Sequence, residues 1–447
     1  MTNIFAAPFE VILKLSDVEL QDRIRVSGVV RAGLHDLPGS TATELLRKGL
    51  QAVYEPLPGS VAVIRLMCGR AHGHALDRYP SLESYIQGIY AKGLEFEPSL
   101  PTCLTGIAGG GKSQTIGALW RLLPAPSKLL LPDRTEVPLI PGVSFKIGGK
   151  SSLGSLFGTM YCATSAAPED RPPKAIKLDL LVRRFYRRGC CFVIPDEWQF
   201  ITSSADANAL LTKALFFVTY LGVPMMYVGN YSLLHRLMER NHEDRQRLLS
   251  DVIRLDPEPP DSPALIRMLE QWCRVADGAF GFDPAVAAER FDAFTGGSIR
   301  AMRELAVISY RRKREQSPRS SAVVVTLADI ESTYGSDHFS LLRADARLLM
   351  KQRITGKIGD PRRKDLWCPI EPAVQTQTIV QMMADREQQR EVDSRILISS
   401  MTPQEVKASA EIARAFRPSD DAEATVKPVP KKRQKVTLEG LLARVKT

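Results

Sequence analysis

The sequence predicts an α/β fold, a parallel sheet flanked by helices, with a helical lid behind it. Three observations predict it. A glycine-rich loop stands between an apolar strand and an amphipathic helix, a second apolar strand ends in paired acids, and a proline-rich break at 257–263 precedes a helical stretch. Strands alternating with helices imply parallel pairing, because parallel neighbours need crossover connections. At 447 residues the chain is long enough for two or three domains with substantial cores.

The first 75 residues carry weak signals. Stretches 9–15 and 24–30 read as strands, 43–54 as a short helix, and Pro56, Pro58 and Gly59 as a chain break. His72 and His74 stand two apart without further ligands nearby, so a surface loop is expected there and not a metal site. From Ser81, a plausible N-cap, the apolar residues Leu82, Tyr85, Ile86 and Ile89 mark an amphipathic helix.

A strand at 102–105 leads into Gly106-Ile107-Ala108-Gly109-Gly110-Gly111-Lys112-Ser113, which fits the phosphate-loop pattern at every fixed position. Gly106, Gly109, Gly110 and Gly111 let backbone N–H groups turn toward phosphate oxygens. Lys112 is expected to reach the β- and γ-phosphates of ATP, Ser113 to help hold Mg²⁺, and Gln114 to complete the nucleotide contact. Ile116, Leu119, Trp120 and Leu123 then form a helical stripe, whose N-terminal dipole favours the anion.

A second strand is expected at 137–140, followed by a small-residue loop with Lys146, Lys150 and Ser151. A helix at 179–188 has a basic end that includes Arg183 and Arg187. Cys190-Cys191-Phe192-Val193-Ile194-Pro195-Asp196-Glu197 is the acid-tipped strand, a Walker B element in which Asp196 serves the metal and Glu197 is the general base. Pro195 is unusual there, since a central strand needs its N–H groups. A helix at 209–221 precedes the strand 223–228, and Asn230 at its tip is the candidate that orients the lytic water. After a helical stretch at 233–240, Arg247 is the candidate to reach a neighbouring subunit's nucleotide, with Arg245 and Arg240 as alternatives.

Beyond the break, the lid begins at 264, and Thr295-Gly296-Gly297-Ser298-Ile299-Arg300 starts one of its helices. Arg300 falls in a first turn, where a cation is disfavoured by the helix dipole, so a contact with nucleotide phosphates is expected. Arg311-Arg312-Lys313-Arg314 reads as a solvated helix face or linker. The acid-, proline- and lysine-rich stretch 420–437 reads as disordered, and Leu438, Leu441, Leu442 and Val445 as a terminal docking helix. The expected organisation is a partner-binding N-terminal extension (1–77), a nucleotide-binding core (78–258), a lid with its following segment (259–355) and a largely flexible C-terminal extension (356–447).

The formal net charge of +10 is compatible with an acidic partner such as DNA. Seven scattered cysteines, without a C-x-x-C pair, argue against structural zinc and a disulfide framework and for a reducing cytoplasm. No secretory leader is evident, and the longest apolar run, 214–229, is interrupted by Gly222 and Pro224, so no membrane span is expected.

Phosphate loop, Asp196-Glu197-Trp198-Gln199, Val228-Gly229-Asn230, Gln246-Arg247 and the Thr295–Arg300 motif occur in an order that resembles AAA+ ATPases. The closest resemblance is to TnsC/TniB-type regulators of DNA transposition, over roughly residues 78 to 340. Pro195 and Gly229-Asn230 depart from that pattern. The resemblance implies an AAA+ P-loop core that uses ATP and Mg²⁺ and assembles as a ring or filament on double-stranded DNA. It implies recruitment of a transposase to a site chosen by a target-selection protein, in the bacterial cytoplasm. DNA would be held without base readout, with Lys146, Lys150 and Ser151 as candidates. A replication-type helicase loader or initiator shares such a core, but no convincing winged-helix or helix-turn-helix module follows the lid. A non-hydrolysing scaffold is disfavoured by Glu197, and a signalling ATPase by the lack of internal repeats.

Overall fold

A computed structural model describes residues 3–91, 96–146, 152–165, 172–196, 207–318 and 321–370. The chain divides into two units, Met1–Val380 and Gln381–Thr447, and all described residues lie in the first. The strand expected at 9–15 is mostly helix, α1 (Ala7–Leu13), and a second helix, α2 (Asp17–Ile24), ends where the strand expected at 24–30 begins; that stretch is irregular apart from one bridge, Val26 with Tyr54. Phe9 and Ile12, three apart, are buried while Val11 between them is exposed, a helical and not an alternating pattern. Ser16 and Glu19 form a capping box that starts α2. Helix α3 (Gly39–Ala52) covers most of the helix expected at 43–54. The expected break then becomes the start of α4 (Pro58–Arg78), with Pro58 in the first turn, where its missing N–H costs nothing. His72 and His74 therefore lie on a helix, not in a loop. Ser81 caps α5 (Leu82–Tyr90) as expected, accepting the Ser84 N–H.

The core alternates strands and helices from β1 (Thr102–Gly106) and α6 (Lys112–Leu122) onward. The strand expected at 137–140 is β3 (Glu136–Leu139), but it pairs antiparallel with β2 (Ser127–Leu130) in a hairpin outside the parallel sheet. The sheet continues through β4 (Val143–Lys146), α7 (Leu153–Ala163), α8 (Leu178–Arg187), β5 (Val193–Asp196) and α9 (Ala207–Thr219). It closes with β6 (Met226–Val228), α10 (Tyr231–Met238), α11 (His242–Leu248) and β7 (Asp251–Leu255).

The parallel strands run in the order β4-β5-β6-β1-β7. Between β5 and β6 the ladder shrinks to one bridge, Val193 with Met225. Pro195 explains the gap. The Val193 N–H donates to Pro224 O at 2.9 Å, and in a strand residue i+2 faces the same neighbour. Pro195 therefore faces β6 with no N–H to give, while Ile194 and Asp196 keep their register with Ser144 and Lys146 of β4.

Three hydrophobic clusters organise the described residues. Phe9, Leu20 and Ile64 of α1, α2 and α4 pack with Leu104, Leu119 and Met226 on one side of the sheet. Phe185, Leu215 and Val218 of α8 and α9 cover Val193 and Tyr227 on the other. The third cluster is the lid, built from α12 (Pro263–Val275), α13 (Pro284–Thr295), α14 (Ile299–Gln316), α15 (Leu327–Gly335) and α16 (Ser340–Thr355). Helix α3 belongs to it, for Leu46 and Leu50 pack with Trp272, Phe291 and Leu305. The run 311–314 departs from a solvated face at its end, where Arg314 is buried and donates to the carbonyls of His35, Pro318 and Ser321. After α16 the chain returns to the core. Lys364 pairs with Glu239 at 2.6 Å, and the Trp367 ring meets His235 edge-on. No helix among the described residues is long and apolar enough to cross a membrane. The stretches expected to be disordered or to dock, 420–437 and 438–445, lie outside the described residues.

Candidate nucleotide site

The phosphate loop joins β1 to α6 at the C-terminal edge of the sheet, the edge where open α/β sheets bind ligands. Gly109 has φ +79° and Gly111 φ +96°, left-handed conformations that favour glycine. Gly111 is the N-cap of α6, so Lys112, Ser113 and Gln114 form that helix's first turn. The buried face of the helix, with Ile116 and Leu119, fixes its direction against the sheet, and Trp120 stacks on Phe192 at 5.2 Å. Lys112 curls over the loop, its Nζ donating to Gly106 O and Ile107 O at 2.8 Å each.

Across the site, Asp196 is buried at the end of β5, and Ser113 Oγ donates to its Oδ2 at 3.3 Å. Two residues 83 positions apart, each assigned to the metal from sequence, thus meet. Their donor set fits Mg²⁺, which takes few protein oxygens and completes its octahedron with phosphate and water. When bound, the ion would neutralise charge on the β- and γ-phosphates. Among the described residues no group of three or more His, Cys, Asp or Glu side chains is arranged for a metal.

The lid reaches the loop directly. Arg300 N–H donates to Gly109 O at 3.3 Å, and Ser298 Oγ donates to Ala108 O at 3.2 Å. Ser298 also caps α14, accepting the Ala301 N–H. A Cβ on Gly109 would stand 2.5 Å from Arg300 Cβ, so the small loop residue is also what lets the lid helix approach. The Arg300 side chain is exposed at this junction. Ser298 is a site residue that the sequence reading passed over; its signal was a Ser N-cap immediately before a helix.

The remaining candidates are distributed as follows. Asn230 lies beside β1, since Gly229 N–H donates to Leu104 O at 3.0 Å. Its side-chain oxygen caps α10, accepting Leu233 N–H at 3.3 Å and Ser232 Oγ at 2.6 Å. Arg247 is exposed on α11 and pairs with Glu243 at 2.9 Å. It lines a cleft of about 410 Å³ with Arg240, Phe216, Phe217 and Tyr220. Lys146, exposed at the end of β4, stands in register with Asp196. Glu197, Lys150 and Ser151 lie outside the described residues.

No protein-family model matches the sequence, and no curated protein does. Similar solved structures include Cdc6p from Pyrobaculum aerophilum (16% identity, TM-score 0.37, 57% of this chain and 66% of that one). They also include the Aeropyrum pernix Orc1 protein in complex with DNA (15%, 0.35, 61% and 66%). A third is PCH-2 from C. elegans (14%, 0.33, 62% and 67%). The chain spans just under two thirds of each of the first two. The molecule's own strand order and the lid's seat against the phosphate loop make it an α/β P-loop core with a helical lid.

Proposed function

We propose that this protein is a Mg²⁺-dependent ATPase whose nucleotide state governs its assembly on double-stranded DNA, as a regulator of DNA transposition. The observation that carries the ATPase reading is the convergence of Lys112, Ser113 and Asp196 beneath a lid helix seated on the loop. In this reading Glu197, next after Asp196, is the base that takes the water's proton, and Asn230 at the adjacent strand tip orients that water. Arg300 meets the phosphates from the lid, and Arg247, on an exposed helix, reaches a neighbouring subunit's nucleotide. Nucleotide binding would then favour the oligomer by mass action.

The transposition reading is supported by the sequence resemblance, namely Asp-Glu-Trp-Gln at the end of the acid-tipped strand and Gly-Gly-Ser-Ile-Arg at the lid. The formal charge of +10 and exposed Lys146, with Lys150 and Ser151 following, support phosphate contacts without base readout. Transposase and target-selection protein are the partners this reading implies. Sedimentation and electron microscopy of the full chain with duplex DNA test it. Rings or filaments are expected with a slowly hydrolysed ATP analogue on any sequence, weakening steeply as salt rises, and absent in Lys112→Ala. Equal DNA binding with and without nucleotide would contradict it.

A further inference from the structure

Two of the segments by which the chain passes between core and lid lie side by side. Residues 25–38 lead from α2, packed on the core, to α3, packed in the lid, and residues 53–57 lead back to α4. The two crossings are held together by the Val26–Tyr54 bridge, with both N–H groups donating, at 2.9 and 3.0 Å. Next to that bridge stands Glu55, whose side chain is 1% exposed. Arg25 grips its carboxylate from the core side, Nε to Oε2 at 2.8 Å and Nη2 to Oε1 at 3.1 Å. From the lid side, Arg267 of α12 donates Nε to Oε1 at 2.7 Å. Asp22 pairs with Arg25 in turn.

We infer that Glu55 is a lid-positioning residue, a buried latch between Arg25 and Arg267 that holds α14 against the phosphate loop. The argument is one of leverage and desolvation. If the lid swings away from α2, the buried carboxylate loses one of its two cationic partners and is left to Arg25 alone, which penalises the undocked lid. Arg267 sits on the same rigid lid cluster as Ser298 and Arg300, since α12 and α14 share the core built on Trp272 and Leu305. Holding Arg267 at the crossing therefore holds the loop contacts at the other end of that cluster. The packing is unusual for a mere surface pair, because Arg267 is 40% exposed while its acceptor is enclosed. That arrangement lets the arginine leave without disrupting the core, as a latch requires.

The consequence for nucleotide binding rests on the proposed ATPase reading; the latch itself does not. The Arg300 N–H lies in the first turn of α14, where it has no partner within the helix and donates to Gly109 O. Its hydrogen exchange reports lid docking without any nucleotide. In the full-length protein, Arg267→Gln is expected to raise exchange about tenfold across the first turn of α14, leaving β1 and β7 unchanged. Arg267→Lys should restore much of the protection, since it keeps the cation. Unchanged exchange in Arg267→Gln, or equal loss in β1 and β7, would overturn the latch. A second arm measures dissociation of a fluorescent ATP analogue with Mg²⁺, expected about tenfold faster in Arg267→Gln. If the wild type binds no analogue, the ATPase reading falls, while the exchange arm still decides the latch.

Discussion

At Ser113 and Asp196, sequence logic and geometry meet most directly: a loop hydroxyl and a strand-end carboxylate, far apart in the chain, share a hydrogen bond. Those positions were legible because phosphate chemistry demands particular residue types at particular spacings. His74 shows the opposite case. Two histidines two apart without further ligands nearby suggested a surface loop, yet His74 lies on α4 with its ring edge-on to Tyr79, centres 6.1 Å apart. Burial holds its imidazole down to about 4, with the nearby Arg78 charge acting the same way. The folded value lies below the unfolded one, so the unfolded chain takes the proton first as the pH drops. Stability is then present above pH 6.5 and lost by up to about 3 kcal/mol as the pH falls toward 4. Denaturant titrations of His74→Gln and wild type across that window check it. The variant should lose less stability on acidification, and parallel curves would refute the assignment.

Among the elements, the contact of loop and lid helix is the most constrained. Gly109→Ala would place a methyl 2.9 Å from Ser298 Oγ as well as against Arg300, at φ +79°. A loss of about 2 kcal/mol in unfolding free energy is expected, with weakened nucleotide binding. Gly110→Ala, whose added carbon meets Ile107 at 3.3 Å, should cost less. Unfolding curves and nucleotide titrations of both variants test the order, and equal effects would argue against the close lid approach. Elements with a strong period were readable, such as α6 with Ile116 and Leu119, or α5 with its Ser81 cap. Those that tertiary packing decides were not. Phe9, Val11 and Ile12 favour strand by residue type, but burial of Phe9 and Ile12 against α4 selects the helix. The edge strand β7 escaped notice because Asp251 and Arg254 interrupt its apolar residues, and only Leu255 is fully buried. Pro195 was recognised as anomalous, and the reduced β5–β6 ladder is its physical consequence.

For the whole molecule, the division of labour differs from a core with a separate N-terminal module. Helices α1, α2 and α4 complete the sheet's flank, whereas α3 completes the lid, so the first 77 residues stitch the two together. The segment after α16 adds another tie, through Trp367 on His235 and Lys364 on Glu239. Such a lid is positioned to sense what the loop holds, and the central claim is that the loop holds ATP for hydrolysis. The most direct test is Mg²⁺-dependent ATP turnover by the full-length protein, beside Lys112→Ala and Glu197→Gln. The account predicts turnover in the wild type, weakened nucleotide binding in Lys112→Ala, and near-normal binding with turnover reduced at least about 100-fold in Glu197→Gln. Turnover in Glu197→Gln equal to that of the wild type would contradict it.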